Sequence, residues 1–292
     1  MAEQILSEGG VVYGAAFDEN WSVAHIRITD CKDLDKLRRS KYVYSKLAFS
    51  VKNVEEDLKQ NRKVLFSGVP CQVAAVRKKV GNDTNLLCVE VVCHGAPETY
   101  FWNRYLEELC SLLGENKEDI SSINFRDKRT GWKRYSFTLK FNDGKEFSQK
   151  ASSNAYMMAF LANYTVRKVC FNCQFKYPGG SAADITLGDF WGIEKVASNL
   201  NNNLGTTVVI MRTERGENAA KLIKVDSSID FSDAHKYNSA ICAPPPMPAD
   251  YEKFQYEAHS TDRLTPVFEK FIRDKKSHKL KKLIKRCIRL FK

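Results

Sequence analysis

Short apolar runs alternate with stretches of helical spacing along the first part of the chain. Val11 to Phe17 and Ser22 to Ile28 predict two strands, and Ala2 to Gly10 predicts a short helix that ends on Gly9-Gly10. Lys32 to Arg39 and Ser45 to Leu58 have helical composition. Lys63 to Ser67 is a compact apolar strand that runs into Gly68-Val69-Pro70-Cys71. Gln72 to Val80 then reads as a helix, with Pro70 close to its start, where a missing N–H does no harm. The next strand, Asn85 to Val92, is almost continuously apolar, which suits burial on both faces of a parallel sheet. It delivers Cys93-His94-Gly95, and a helix follows from Glu98 to about Leu113. Strand, cysteine-bearing turn and helix thus occur twice in succession. That order predicts α/β organisation, with sites at the carboxyl ends of the strands.

The pattern changes after Ser121. Ser122 to Arg126, Lys133 to Phe141 and Glu146 to Ser148 read as strands, with Asn142-Asp143-Gly144 as a hairpin turn. Ser153 to Asn163 is helical and leads into Cys170-Phe171-Asn172-Cys173. Strands near Asp184 to Leu187 and Thr206 to Arg212 flank an Asn-rich loop, and a helix is expected from Gly216 to Val225. The expected fold is therefore α/β, a mixed and mainly parallel sheet core with an antiparallel insertion and a C-terminal basic amphipathic helix. Residues 1–240 form the core, 241–274 a helical extension and 275–292 a basic tail.

Charge sharpens the picture of that tail. The chain has 46 Lys and Arg against 35 Asp and Glu, a net charge of +11. Nine of the positives fall within residues 275–292, which contain no acid, so the rest of the chain is close to neutral. A neutral body with no basic stripe and no recognised motif argues against nucleic-acid binding. In the tail, Leu280, Leu283, Ile284, Cys287, Ile288 and Phe291 recur at helical spacing. Such a helix can lie on an anionic membrane, or dock its stripe on the body or a partner. No apolar run approaches the roughly 18 to 20 residues of a membrane span, and Met1-Ala2-Glu3-Gln4 does not open a signal peptide. The expected location is cytoplasmic, and peripheral at the inner membrane surface if the tail takes the membrane rather than docking.

Nine cysteines in a leaderless chain point to thiols, metal ligands or redox groups rather than to a secreted disulfide framework. Cys170 and Cys173 form the single C-x-x-C, a spacing that suits zinc, an iron–sulfur cluster or a redox dithiol. Cys71 and Cys93 each follow a strand, and Cys71 gains from the positive end of the helix behind it. Alone, each would be an ordinary buried cysteine; together with the C-x-x-C they supply the four thiolates a cubane needs. Cys88 and Cys110 sit inside regular elements, and Cys31, Cys242 and Cys287 carry no comparable signal. His94 beside Cys93 is a candidate proton relay or catalytic residue, set against an ordinary lone histidine. Asp189 and Trp191 offer a carboxylate and an aromatic wall, or else a strand-end turn with a packed Trp. Lys41 and Tyr42 offer a cation and a ring for a flavin, or a solvated Lys beside a packed Tyr.

Several ordered motifs carry a family resemblance. They are Gly9-Gly10-Val11-Val12-Tyr13-Gly14, Ser40-Lys41-Tyr42-Val43-Tyr44-Ser45, Gly68-Val69-Pro70-Cys71-Gln72, Cys93-His94-Gly95, Phe125-Arg126-Asp127-Lys128 with Gly131-Trp132, Cys170-x-x-Cys173, and Asp184 through Gly192. On these the chain resembles the beta-subunit family of coenzyme F420 hydrogenases and dehydrogenases, whose relatives include chlorophyll-cycle reductases and bacterial proteins found beside surface-polysaccharide genes. The resemblance implies an oxidoreductase in which Cys71, Cys93, Cys170 and Cys173 ligate a [4Fe–4S] cluster close to FAD. It makes Ser40, Lys41, Tyr42 and Ser45 candidates for flavin contact, together with Gln72, Asp189 and Trp191 in the neighbouring motifs. Many relatives carry a ferredoxin-like segment and a Ser- and Gly-rich helix ahead of the first strand; here only Met1 to Glu8 precedes it. An external electron donor, a ferredoxin or a redox subunit, is therefore expected. The rival expectation is a zinc-stabilised or cofactor-free scaffold derived from the same fold, acting through protein or membrane contacts.

Overall fold

Residues 1–176 and 180–273 are described by the computed structural model of the chain. The basic tail of residues 275–292 lies outside them. The chain begins with helix α1 (Ala2–Ser7), strands β1 (Val11–Phe17) and β2 (Val23–Ile28), the single turn α2 (Leu34–Leu37), helix α3 (Ser50–Lys59), strand β3 (Val64–Gly68), helix α4 (Pro70–Val80) and strand β4 (Leu86–Val91). Helix α5 (Thr99–Leu113) leads into strands β5 (Ile120–Asp127), β6 (Ser136–Phe141) and β7 (Glu146–Lys150), then helix α6 (Ala155–Leu161). The chain returns as β8 (Ile185–Asp189), α7 (Ile193–Val196), β9 (Thr207–Met211), α8 (Glu214–Ala220), α9 (Phe231–Lys236) and α10 (Tyr251–His259), and residues 264–273 are also helical. Among the described residues, no helix is long and apolar enough to cross a membrane.

The main sheet has the order β2-β1-β3-β4-β8-β9. Its four central strands run parallel, and β2 and β9 close the edges antiparallel. β5, β6 and β7 form the separate antiparallel sheet that the hairpin pattern predicts, and Gly144 at its turn takes φ +89°, a region open to glycine. The fold is thus the mixed, mainly parallel α/β arrangement expected from the sequence.

The central strands explain their own burial. Leu86, Leu87, Cys88 and Val89 of β4 are all buried, because neighbours lie on both sides and helices on both faces. On one face Tyr13, Phe66 and Cys88 pack under α3 and α4, through Val54, Leu58, Val73 and Val76. On the other face Val12, Leu65, Val89 and Ile185 meet Leu6 of α1 and Leu34 of α2. The covers on this second face are short, α1 of six residues, α2 of four and α8 of seven. They leave the strand ends uncovered, and that gap becomes the site.

Two features fix α4 and α8 against β8. Asp184, just before β8 and 2% exposed, accepts from Arg77 Nη2 of α4 at 2.6 Å, from the Cys88 N–H at 2.7 Å and from the Thr213 hydroxyl at 2.9 Å. Gly216 of α8 lies so close to the same segment that a Cβ would stand 2.1 Å from the Asp184 carbonyl oxygen. Gly216→Ala must push α8 away from the sheet. It is expected to destabilise the chain by about 1–3 kcal/mol in urea titrations, and an unchanged midpoint would contradict this packing.

A second core lies between α5, the β5–β7 sheet and α6. Trp102, Phe125, Phe137, Tyr156 and Phe160 cluster there, joined by Phe254, Phe268 and Phe271 from the C-terminal helices. Some boundaries differ from the sequence reading. Helix α3 starts at Ser50 rather than Ser45, because residue 46 pairs with Ala24 beside β2 and Ser45 turns inward to hydrogen bond His25. Helix α6 starts after Asn154, whose side-chain oxygen accepts from the Met157 N–H at 3.0 Å and so caps it.

Candidate functional site

The carboxyl ends of β3, β4 and β8 open into a cavity of about 890 Å³. Its floor is the sparsely covered sheet face, from Val12 and Gly14 across Leu65, Val89 and Val91 to Leu187. Val91 is 44% exposed although it ends a central strand, a measure of how open that floor is. Ser40, Lys41, Tyr42, Ser45, Gln72, Asp189, Trp191, Cys93 and His94 all line this one cavity. Segments far apart in sequence therefore meet there, as expected at strand ends in a parallel sheet.

Ser45 and Gln72 hold the wall together. Gln72 Oε1 accepts from the Val69 N–H at 3.0 Å, and its amide donates to the Ser45 carbonyl at 2.7 Å. The Ser45 hydroxyl lies 2.8 Å from His25 Nδ1, while His25 Nε2 is 3.0 Å from the Ser67 carbonyl. A carbonyl can only accept, so Nε2 carries the proton and Nδ1 accepts from Ser45. Burial pushes His25 down to about 4, so the ring is neutral near pH 7. The sequence assigns His25 no role. Its signal is a polar residue on a short edge strand, where nothing local marks the buried face.

His25 also gives a pH dependence. Its ordinary value of 6.5 falls to about 4 on folding, so the unfolded chain binds more protons between those limits. Stability should fall by about 3 kcal/mol as pH drops through that window. Urea titrations of the chain and of His25→Gln between pH 7 and pH 4 test this: the difference between the two must shrink as pH falls, and a constant difference would contradict it.

The polar and aromatic wall lies opposite. Tyr42 sits 4.9 Å from Phe160 and 5.7 Å from Phe125, and its carbonyl accepts from the Tyr156 hydroxyl at 2.7 Å. Burial pushes its phenol up to about 12. Lys41 donates to the Arg38 carbonyl at 2.9 Å; burial, then Arg39, lower it to about 8. His94 Nε2 lies 2.7 Å from Asn163 Oδ1, and its ring meets Phe160 edge-on at 5.1 Å. Asp189 pairs with Arg126, and Trp191 stacks on Trp132 at 4.6 Å. Tyr135, to which the sequence reading gives no role, belongs to this wall as much as the residues it names, and Arg126 packs against the Tyr135 and Trp191 rings.

The cysteines lie beside the cavity. Cys71 is the second residue of α4, at the positive end of that helix, and is exposed. Cys170 and Cys173 are carried by a tight turn over Lys168–Asn172 and its end. Loss of water raises the Cys71 thiol, and Cys173 and Cys170 raise it further. Burial pushes Cys93 up to about 11, opposed by Lys176, with Cys170 and Cys71 adding to the rise. Cys71, Cys93, Cys170 and Cys173 thus share one electrostatic neighbourhood, although residues 71 and 173 are far apart in the chain. Among the described residues, no three His, Cys, Asp or Glu side chains are arranged to hold a metal ion.

The donor set nevertheless has the chemistry of a thiolate-bound group. Two cations accompany these thiols: Lys176, which is 3% exposed and donates to the Ala240 carbonyl at 3.2 Å, acts on Cys93, and Arg167, stacked over Tyr44 at 4.1 Å, acts on Cys71. Each cation favours the ionised form of a nearby thiol, Lys176 for Cys93 and Arg167 for Cys71. Cys88 and Cys110, by contrast, are buried in the two cores, as expected for cysteines that only pack.

No curated protein matches the chain. Among solved structures, the xenon-derivatised F420-reducing [NiFe] hydrogenase complex from Methanosarcina barkeri contains a chain of 17% identity, with a TM-score of 0.48 over 74% of this chain and 68% of that one. The family model for the carboxy-terminal part of the coenzyme F420 hydrogenase/dehydrogenase beta subunit matches residues 61–236, more than half of the chain and all four cysteines of the site. The chain belongs to the coenzyme F420 hydrogenase/dehydrogenase beta-subunit family.

Proposed function

We propose that the chain is an iron–sulfur flavoprotein subunit of an oxidoreductase, with a [4Fe–4S] cluster on Cys71, Cys93, Cys170 and Cys173 and a flavin in the adjoining cavity. The observation that carries this reading is Cys93, which belongs to the cysteine neighbourhood and also lines the cavity. When bound, the cluster would relay single electrons and the flavin would exchange a hydride.

The chain's own residues have separable tasks. The four thiolates hold the cluster, while Lys176, Arg167 and the α4 N-terminus offset its negative charge. The floor of Val12, Val89 and Val91 offers a flat apolar surface to a planar ring, and Tyr42 and Trp191 supply aromatic edges. Lys41, at about 8, can hold or release a proton near neutral pH. His94 is fixed by Asn163 next to Cys93, in place to act as a proton relay. Cys71 is exposed and Val169, beside Cys170, is 64% exposed, so this edge is open to an external electron donor such as a ferredoxin or redox subunit.

Anaerobic reconstitution with iron, sulfide and FAD tests the proposal. A spectrum with both cluster absorption and flavin bands, each bleached by dithionite, is expected. A protein that takes up neither group under these conditions would refute it.

A further inference from the structure

Cys93 and the Cys170–Cys173 pair stand on two separate turns, and both turns lean on one stiff segment from the C-terminal part of the chain. Residues 244–248 include Pro244, Pro245, Pro246 and Pro248, whose rings fix the backbone before folding begins. Helix α10 follows, with Tyr251 as its first residue. All of these residues come after residue 236, where the match to the family model ends.

On the Cys93 side, Gly95 passes so close to this segment that a Cβ would stand 3.3 Å from Pro245 and 2.8 Å from Val166, and its φ of +141° suits glycine. Asn163, 5% exposed, donates its amide to the Pro246 carbonyl at 2.9 Å. A carbonyl only accepts, so the Asn163 side-chain oxygen faces His94, and His94 Nε2 donates to it at 2.7 Å. On the Cys170 side, the Tyr251 hydroxyl donates to the Val166 carbonyl at 2.9 Å, and the Tyr251 ring meets Phe171 edge-on at 5.0 Å. Phe171 lies inside the C-x-x-C itself, and Val166 is bridged to Pro97 just after the Cys93 turn. Tyr251 and Val166 are both buried. One segment thus holds the two turns that carry three of the four thiols.

The affinity of thiolates drawn from separate turns for a metal depends on how far those turns keep their places before the metal arrives. Partners outside the ligands control this, and losing one lowers affinity by about 10- to 100-fold. We propose that residues 245–251 brace the Cys93 turn against the Cys170–Cys173 turn, with Asn163 and Tyr251 as positioning residues for a thiolate-bound metal centre. This rests on the reading of the four cysteines as one ligand set, and not on whether that set holds an iron–sulfur cluster or zinc.

The test uses the full chain, metal-free, reduced and kept without oxygen, titrated with Co²⁺, whose thiolate complexes absorb in the near ultraviolet and visible. Tyr251→Phe keeps the ring against Phe171 and loses the hydroxyl. Asn163→Gly keeps the backbone turn at φ +72° and loses the amide. Gly216→Ala is the control, since its clash is with Asp184, away from both turns. Wild type and Gly216→Ala are expected to bind Co²⁺ alike, and Tyr251→Phe and Asn163→Gly at least about 10-fold more weakly. After reconstitution with iron and sulfide, a chelator should strip iron from those two variants at least about 10-fold faster than from wild type. Unchanged Co²⁺ affinity in both brace variants overturns the proposal, as does an equal loss in Gly216→Ala, which would make the effect one of stability. A wild-type chain with no thiolate–Co²⁺ absorption overturns it too, since there would be no centre to brace. A chain that binds Co²⁺ with these losses but takes up no iron and sulfide sinks the iron–sulfur reading and upholds the brace.

Discussion

Alanine in place of Cys173 is expected to reduce the iron content of the anaerobically purified chain to background, while alanine in place of Cys110 leaves it unchanged. A cubane ligand has no local substitute: in the proposed site Cys71, Cys93 and Cys170 are already ligands, and the cysteines that act on Cys71 and Cys93 all belong to that set of four. Cys110 lies on the buried side of α5, 3% exposed, among the aromatic residues of the second core. Its loss removes packing alone, at a cost of about 1 kcal/mol. Iron and acid-labile sulfide, measured per folded chain, separate the two outcomes. Equal iron in both variants would remove Cys173 from the ligand set.

The second large effect is expected at Val91. Tryptophan there should weaken FAD binding at least about 100-fold, roughly 2.7 kcal/mol, while iron content stays at the wild-type level. The side chain ends β4, points away from the α4 face and is 44% exposed on the cavity floor. Enlarging it fills space that the proposed flavin ring would occupy without compressing the core beneath, so global stability should move by no more than about 1 kcal/mol. Anaerobic fluorescence titration with FAD gives the affinity. An unchanged affinity would move the flavin away from this floor.

The residues differ in how plainly the sequence announces them. Cys93 is legible because Asn85 to Val92 is apolar throughout, which marks a strand inside a parallel sheet, and the residue after such a strand lies where sites gather. Pro70 marks the start of α4 in the same local way, and with it the position of Cys71. The hairpin of β6 and β7 declares itself through Asn142-Asp143-Gly144. His25 and Arg126 are not legible in this way. Each is a polar residue on a strand that, by periodicity, belongs to solvent or to an edge. His25 is buried because Ser45 and Ser67, brought in by other segments, satisfy both its nitrogens. Arg126 is buried because Tyr135 and Trp191 close over it and Asp189 takes one of its nitrogens. Such tertiary partners leave no trace in a one-dimensional pattern. The start of α3 is misplaced for the same reason, since nothing in Ser45 to Phe49 reveals that β2 draws residue 46 into a bridge.

The most direct test of a cluster on these four thiols is the metal and sulfide content of the full chain purified without oxygen. About four irons and four acid-labile sulfides per chain are expected, with zinc at trace level. One zinc per chain with no labile sulfide would contradict the account, and would make Cys71, Cys93, Cys170 and Cys173 a structural zinc site in a scaffold instead.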